Sequence, residues 1–410
     1  MKRVLLTAAA ALAAAYALFV TWKQNERAAG LDFYIYYVNA QLASRADVDN
    51  IYSAETQERI GEEYYARAQA SASELRKYDA TRRRRLDNVS SPFLYTTLRW
   101  VSRDYDRALQ QYHVLVLAAF IAGVVLICRR VKLSWCLTLL LLAALLLWYR
   151  GFEADLRVGN VNSLQLAAIG AMLWCPPLVA GVVLGLLVSF KPNLIVIAML
   201  VGIAKTRNQK PETRSALAMH SGFWFLVSGF AAGVAVAIIA AAINYGTFRV
   251  WFQWIAAANE FFHRLQTRDE RNVAPALSLF QQYGSWLSYV IAALLVIIVC
   301  AAILRSKRRD DTLDVPLIGG LAILVYLISA PVVWLHYMVL VLPLAIALLR
   351  RRWTWIVSLI ALAMIAEEPY EMLFRTPVYP HDAALITPAL LALFACGVWT
   401  LASDRDEAAA

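Results

Sequence analysis

Apolar stretches alternate with short polar islands along most of this chain. The stretches lie near residues 4–22, 113–128, 134–149, 161–175, 177–189, 193–204, 217–243, 285–304, 315–330, 338–349, 353–366 and 384–402. Many approach the ~20 residues that a helix needs to cross a hydrocarbon core. The pattern predicts an all-α, polytopic integral membrane protein with about 10–12 transmembrane helices. A transmembrane barrel would instead show short segments of alternating polarity. Several runs are short, and those around Lys191-Pro192 and Pro331 are expected to be broken or re-entrant helices. Proline is tolerated there if protein or water covers the freed backbone groups.

One membrane-embedded domain is expected over 1–410: a first transmembrane helix at 1–22, a long extracytoplasmic loop with amphipathic helices at 23–111, and the remaining spans at 112–404. Met1-Lys2-Arg3 ahead of an apolar run also fits a signal peptide. The run is long for such a segment and no clean cleavage site follows, so a retained helix is favoured.

Composition agrees. The 410 residues are 60% hydrophobic and only 17% charged, against about a quarter charged in soluble domains. The net charge of +10 does not point to nucleic acid. Lys and Arg gather in short connections: Arg129 to Lys132, Lys205 to Arg214, Arg305 to Arg309, and Arg350 to Arg352. By the positive-inside rule these are cytoplasmic, which puts the N-terminus inside and suits a bacterial inner (plasma) membrane. The opposite loops are 23–111, 150–160, 246–284, 331–336 and 367–383. The five cysteines show no ligand or disulfide spacing, so neither a metal site nor a cofactor is expected. No internal repeat is evident.

That orientation places five unusual islands on one face: Asp32 to Tyr37, Gly159 to Asn162, Phe190 to Asn193, Arg271 to Val273, and Trp334 to Tyr337. Asp32 opens a helix expected over 32–44. It reads as an N-cap after Gly30 or as a general base if an acceptor hydroxyl comes within ~3 Å. Its neighbours Phe33, Tyr34, Tyr36 and Tyr37 suit a helix lying at the membrane interface. Asn160 and Asn162 stand at the start of a helix, where asparagine caps by default; only one can be the cap, leaving the other for a ligand. Lys191 either snorkels or holds a phosphate. The run Arg82 to Arg85 reads first as a solvated basic face, with contact to lipid phosphate as the alternative.

In this order the islands resemble the polyprenyl-phosphate-sugar-dependent glycosyltransferases of the GT-C fold, and most closely glycosyltransferase family 87. Asp32 to Tyr37 with Asn39-Ala40 resembles the family's Asp-x-x-x-Tyr-Tyr segment. Ser91-Pro92-Phe93-Leu94-Tyr95 stands where the family has a Tyr-Pro-Pro turn, with one proline here. Gly159 to Asn162 resembles its Gly-Gln-Val-Asn, and Ser189 to Pro192 its Lys-Pro break. Asn272 followed by Ser278 is a loose form of Asn-Gln-Ser, and Leu327 to Pro343 resembles Ser-Pro…Trp-x-His…Pro. The resemblance implies a hexosyltransferase, with mannose the family's best-known sugar. The donor would be a polyprenyl-phosphate-linked sugar and the acceptor a lipid or glycan, with transfer at the extracytoplasmic face.

Carried onto this chain, Asp32 would be the catalytic base of an inverting displacement. Tyr36, Tyr37, Asn160, Asn162, Lys191, Arg271, Asn272, Trp334 and His336 would bind substrate. The expected partners are donor, acceptor and membrane lipids, and no nucleic acid. The rival reading is a transporter or flippase of a lipid-linked or polar solute. It is disfavoured because the polar residues sit at helix ends rather than mid-span.

Overall fold

The structure is a computed structural model describing residues 2–43, 45, 47–207, 221–264, 272–306, 311–351, 353–366 and 382–403. It is all-α: the described residues include helices and no strands. The helices are α1 Lys2–Asn25, α2 Leu31–Leu42, α3 Ala54–Gln69, α4 Glu74–Arg82, α5 Pro92–Thr97, α6 Tyr105–Arg130, α7 Trp135–Trp148, α8 Arg150–Val158, α9 Asn162–Met172 and α10 Pro177–Phe190. They continue with α11 Ile195–Arg207, α12 Ser221–Tyr245, α13 Arg249–Arg264, α14 Leu277–Tyr283, α15 Leu287–Arg305, α16 Asp311–Ser329, α17 Leu342–Leu348, α18 Thr354–Ile365 and α19 Asp382–Ala402.

Among the described residues, five helices, within α1, α6, α12, α15 and α19, are long and apolar enough to cross a membrane. The pair α7 and α8 is bent by 61° at Tyr149 and reaches that length only jointly. Shorter apolar helices make up the remainder. Both expected breaks are present. A short 3-10 turn, Pro192–Leu194, separates α10 from α11. Beyond Ser329, irregular backbone leads into a second 3-10 segment, Leu335–Val341.

Close helix packing holds the helix ahead of the first break. Helix α10 lies along α12 with Gly181 and Gly185 facing Gly229 and Gly233. A Cβ at any of the four would fall 2.0–2.3 Å from a backbone oxygen of the other helix. Small residues at this spacing let membrane helices approach to backbone contact.

Helix α6 begins at Tyr105, two turns before 112, because the Asp104 carboxylate caps it by accepting from the Arg107 N–H at 2.9 Å. Two expectations are corrected. Helix α2 runs over Leu31–Leu42, with Gly30 as N-cap, rather than over 32–44. Its aromatic face does not lie at an interface. Phe33, Tyr34 and Tyr37 are at most 1% exposed, and α2 packs on α4, α5, α6 and α8. An aromatic stripe serves a protein core as well as a lipid boundary, and four flanking helices decide for the core.

Candidate active site

Helix α4 anchors the first turn of α2. The Asp79 carboxylate accepts from the Gly30 N–H at 3.1 Å and from the Tyr105 hydroxyl at 2.5 Å. Arg83, the residue ending α4, donates through Nε to the Leu31 carbonyl at 3.2 Å and through Nη2 to Asp32 Oδ1 at 2.7 Å. Asp32 is therefore not a helix cap: its side chain makes no capping bond. Burial pushes the Asp79 carboxyl up, opposed by the Tyr105 bond.

The second oxygen of Asp32 meets Asn160. Helix α8 ends at Gly159 in the left-handed conformation, φ 68°, which glycine adopts without the Cβ penalty. The chain then reverses so that Asn160 Nδ2 donates to Asp32 Oδ2 at 2.7 Å. Asn160 Oδ1 accepts from the Val161 N–H at 2.7 Å and from Asn162 Nδ2 at 3.1 Å. Neither asparagine caps α9 in the expected way. That task falls to Asp155, which is fully buried. Its carboxylate accepts from the N–H groups of Asn162 and Ser163 at 3.3 and 2.9 Å, and from the Ser163 hydroxyl at 2.6 Å. A carboxylate at a helix N-terminus also opposes the positive end of the helix dipole. Asn162 Nδ2 lies 2.9 Å from Asp155 Oδ1 and 3.1 Å from the His336 carbonyl, which ties the row to the second break.

The row ends in a cation. Lys191 Nζ donates to Asn162 Oδ1 at 3.4 Å and stands 4.2 Å from the centroid of the Tyr337 ring, a cation–π arrangement. The His336 ring meets the edge of Tyr337 at 4.8 Å between centroids. Its Nε2 is buried and has no hydrogen-bond partner among the described residues. A buried nitrogen without a partner costs stability, so this atom is a natural contact for a ligand.

Asp32, Asn160, Asn162, Lys191 and His336 thus converge on one continuous polar row. Tyr36 is buried one turn along α2, and burial and the Asp32 charge push its phenol well above the usual range. Tyr37 is placed differently: its ring lies against Phe33 and Tyr105, and its hydroxyl donates to the Arg103 carbonyl. Asn272 pins the second break, donating to the Pro331 carbonyl at 3.0 Å and accepting from the N–H groups of Ala274 and Val333 at 3.1 and 2.9 Å. Trp334, half-buried, precedes the 3-10 segment that carries His336. Arg271 lies outside the described residues.

The sequence reading missed two members of the site. Arg83 sits in a run read as a solvated face, and Asp155 in a stretch read as a loop. Within that run Arg84 does face outward, in an ion pair with Glu62, whereas Arg83 turns in to Asp32. The available signal was the i, i+4 spacing of Asp79 and Arg83, which puts both on one side of a helix.

The family model described as glycosyltransferase family 87 matches residues 91–330. This span holds Asn160, Asn162, Lys191 and Asn272; Asp32, Arg83 and His336 flank it. No curated protein matches, and no solved structure matches. The family match covers more than half of an all-α membrane chain, and this protein belongs to glycosyltransferase family 87.

Proposed function

We propose that this membrane glycosyltransferase moves a hexose, most simply mannose, from a polyprenyl-phosphate-linked donor to a lipid or glycan acceptor at the extracytoplasmic face. The observation that carries the reading is a carboxylate and a cation at opposite ends of one polar row. Asp32 stands at one end, Lys191 and the unpartnered His336 Nε2 at the other.

In this reading an acceptor hydroxyl approaches Asp32 to about 3 Å and gives up its proton to the carboxylate. The acceptor oxygen attacks the anomeric carbon from the face opposite the phosphate. The carbon–oxygen bond to phosphate breaks, and its electron pair leaves with the polyprenyl phosphate. Attack from the rear inverts the anomeric centre. The departing group goes from one negative charge to two, and Lys191 and His336 meet the new charge. Preorganised donors aimed at developing charge are commonly the largest contribution to catalysis. Asn160 orients the base, and Asn162 links Lys191 to the His336 backbone.

The test is sugar transfer from labelled polyprenyl-phosphate sugars by membranes carrying the wild-type chain or Asp32→Asn. The amide keeps the shape and one acceptor oxygen but cannot take the proton. Transfer by the wild type and a loss of at least about a hundredfold in the variant are expected for removal of a general base. Equal transfer by both would displace Asp32 from the role, and no transfer from any polyprenyl donor would favour the transporter reading.

A further inference from the structure

We propose that Arg83 is shared between Asp32 and the leaving phosphate: it pairs with the carboxylate in the resting site and turns to the phosphate as the donor binds and departs. The inference rests on the transfer reading above and adds a residue that lies outside the region matched by the family.

The geometry supplies both halves. Arg83 is held by two separate bonds. Its Nε reaches the Leu31 carbonyl at 3.2 Å and its Nη2 reaches Asp32 Oδ1 at 2.7 Å. The backbone N–H of Arg83 is fixed on the Asp79 carbonyl at 2.9 Å. Asp79 itself holds Gly30. Both side-chain nitrogens belong to one planar guanidinium, so turning away from Asp32 also releases the neutral Leu31 carbonyl, the weaker of the two bonds. The remaining guanidinium contact is loose, 4.0 Å to Asp87, a side chain 57% exposed. The Arg83 side chain is itself 27% exposed, so it borders the open side of the site rather than its packed floor.

Charge conservation supplies the reason. Before transfer the site holds one negative charge on Asp32 and one on the phosphodiester. Afterwards Asp32 is a neutral acid and the phosphate carries two. A cation fixed on Asp32 would oppose the proton transfer, because it favours the ionised carboxylate. A cation free to follow the charge opposes nothing and adds to the stabilisation of the leaving group. The acceptor oxygen lies about 3 Å from the base and the anomeric carbon about 3.5 Å farther. In line beyond that carbon, the phosphate lies on the order of 7–8 Å from the Asp32 carboxylate, a distance that Arg83 covers only by turning its side chain away from Asp32. Arginine suits the task, since its planar fork serves carboxylate and phosphate alike.

The test is a binding cycle with farnesyl phosphate, a short polyprenyl phosphate, on the full chain in detergent. Four proteins are compared: wild type, Asp32→Asn, Arg83→Gln and the double variant. If Arg83 is shared, Asp32→Asn releases it and tightens farnesyl phosphate by about tenfold or more, within the range of coupling between neighbouring groups. The same substitution in the Arg83→Gln background yields a clearly smaller gain. Equal gains in the two backgrounds mean that only the Asp32 charge matters, and they overturn the sharing while leaving the transferase reading intact. Arg83→Lys guards against misfolding: partial recovery of affinity is expected, and no recovery in a variant that melts like the wild type overturns the proposal. If the wild type neither binds farnesyl phosphate nor transfers sugar, the transferase reading fails and this inference falls with it.

Discussion

Gly159 offers a perturbation whose size can be worked out beforehand. Replacing it with alanine does two separate things. It places a Cβ on a residue at φ 68°, which costs about 1–2 kcal/mol for an L-residue. It also sets that Cβ 2.6 Å from the Cβ of Phe33. Ordinary carbon contacts begin near 3.5 Å, so α8 and α2 must separate by roughly 0.9 Å. The next residue is Asn160, whose amide holds Asp32 at 2.7 Å. A shift of that size stretches the bond beyond about 3.5 Å, where it ceases to be one. Misplacing a reacting group by about 1 Å can cost about a hundredfold. Gly159→Ala should therefore reduce sugar transfer by about ten- to a hundredfold, with a stability loss of about 2–3 kcal/mol. Gly246 is the control: it has the same φ of 68°, but nothing stands within 4 Å of the added Cβ. Gly246→Ala should lose only the conformational part and keep its transfer rate. The assay is initial rate on a labelled polyprenyl-phosphate hexose, with melting in detergent followed alongside. If both variants transfer alike, or Gly159→Ala transfers like the wild type, the argument that α8 sets the position of Asp32 is refuted.

Two further outcomes follow from buried carboxylates. Asp155→Asn replaces an acceptor with a donor against Asn162 and Ser163. It should cost about 2–5 kcal/mol from stranded buried partners, read by denaturation in detergent, and transfer should fall with it; an unchanged midpoint would show that the carboxylate does not hold the start of α9. Asp79 has a raised carboxyl, so its contribution to stability is present below the ordinary carboxylate range and is lost as pH rises through the raised value. Asp79→Asn does not titrate, so the difference in melting temperature, variant minus wild type, should grow as pH rises above the ordinary carboxylate value of about 4; a constant difference would contradict the sign.

Much of this architecture was legible in the sequence because hydrophobic length and proline speak directly. The breaks after Phe190 and after Ser329 follow from Pro192 and Pro331, which cannot continue a helix's hydrogen bonds. Asp32, Asn160, Asn162, Lys191 and His336 were singled out because the expected topology puts them on one face, and the structure brings them into one polar row. What stayed hidden depends on packing. Four successive arginines offer four candidates, and only the i, i+4 spacing from Asp79 hints that Arg83 is the one that turns inward. The aromatic face of α2 has the same periodicity whether it meets lipid or helices. Asn272 looked like a ligand group, yet its three bonds go to backbone at the second break; an amide that matches peptide geometry serves either purpose, and only the neighbouring chain decides.

The Asp32–Arg83 pair also has a consequence for biosynthesis. The two residues are 51 positions apart, whereas His336, which completes the row, is made roughly 300 residues after Asp32. At about 5–20 residues per second, some 15–60 s separate the two events. For the first 128 residues of that interval Asp32 lacks Asn160 as well as His336, but Arg83 emerges within seconds of it. Arg83 is thus the first of these partners to reach this carboxylate, available to balance its charge while the rest of the chain is still on the ribosome.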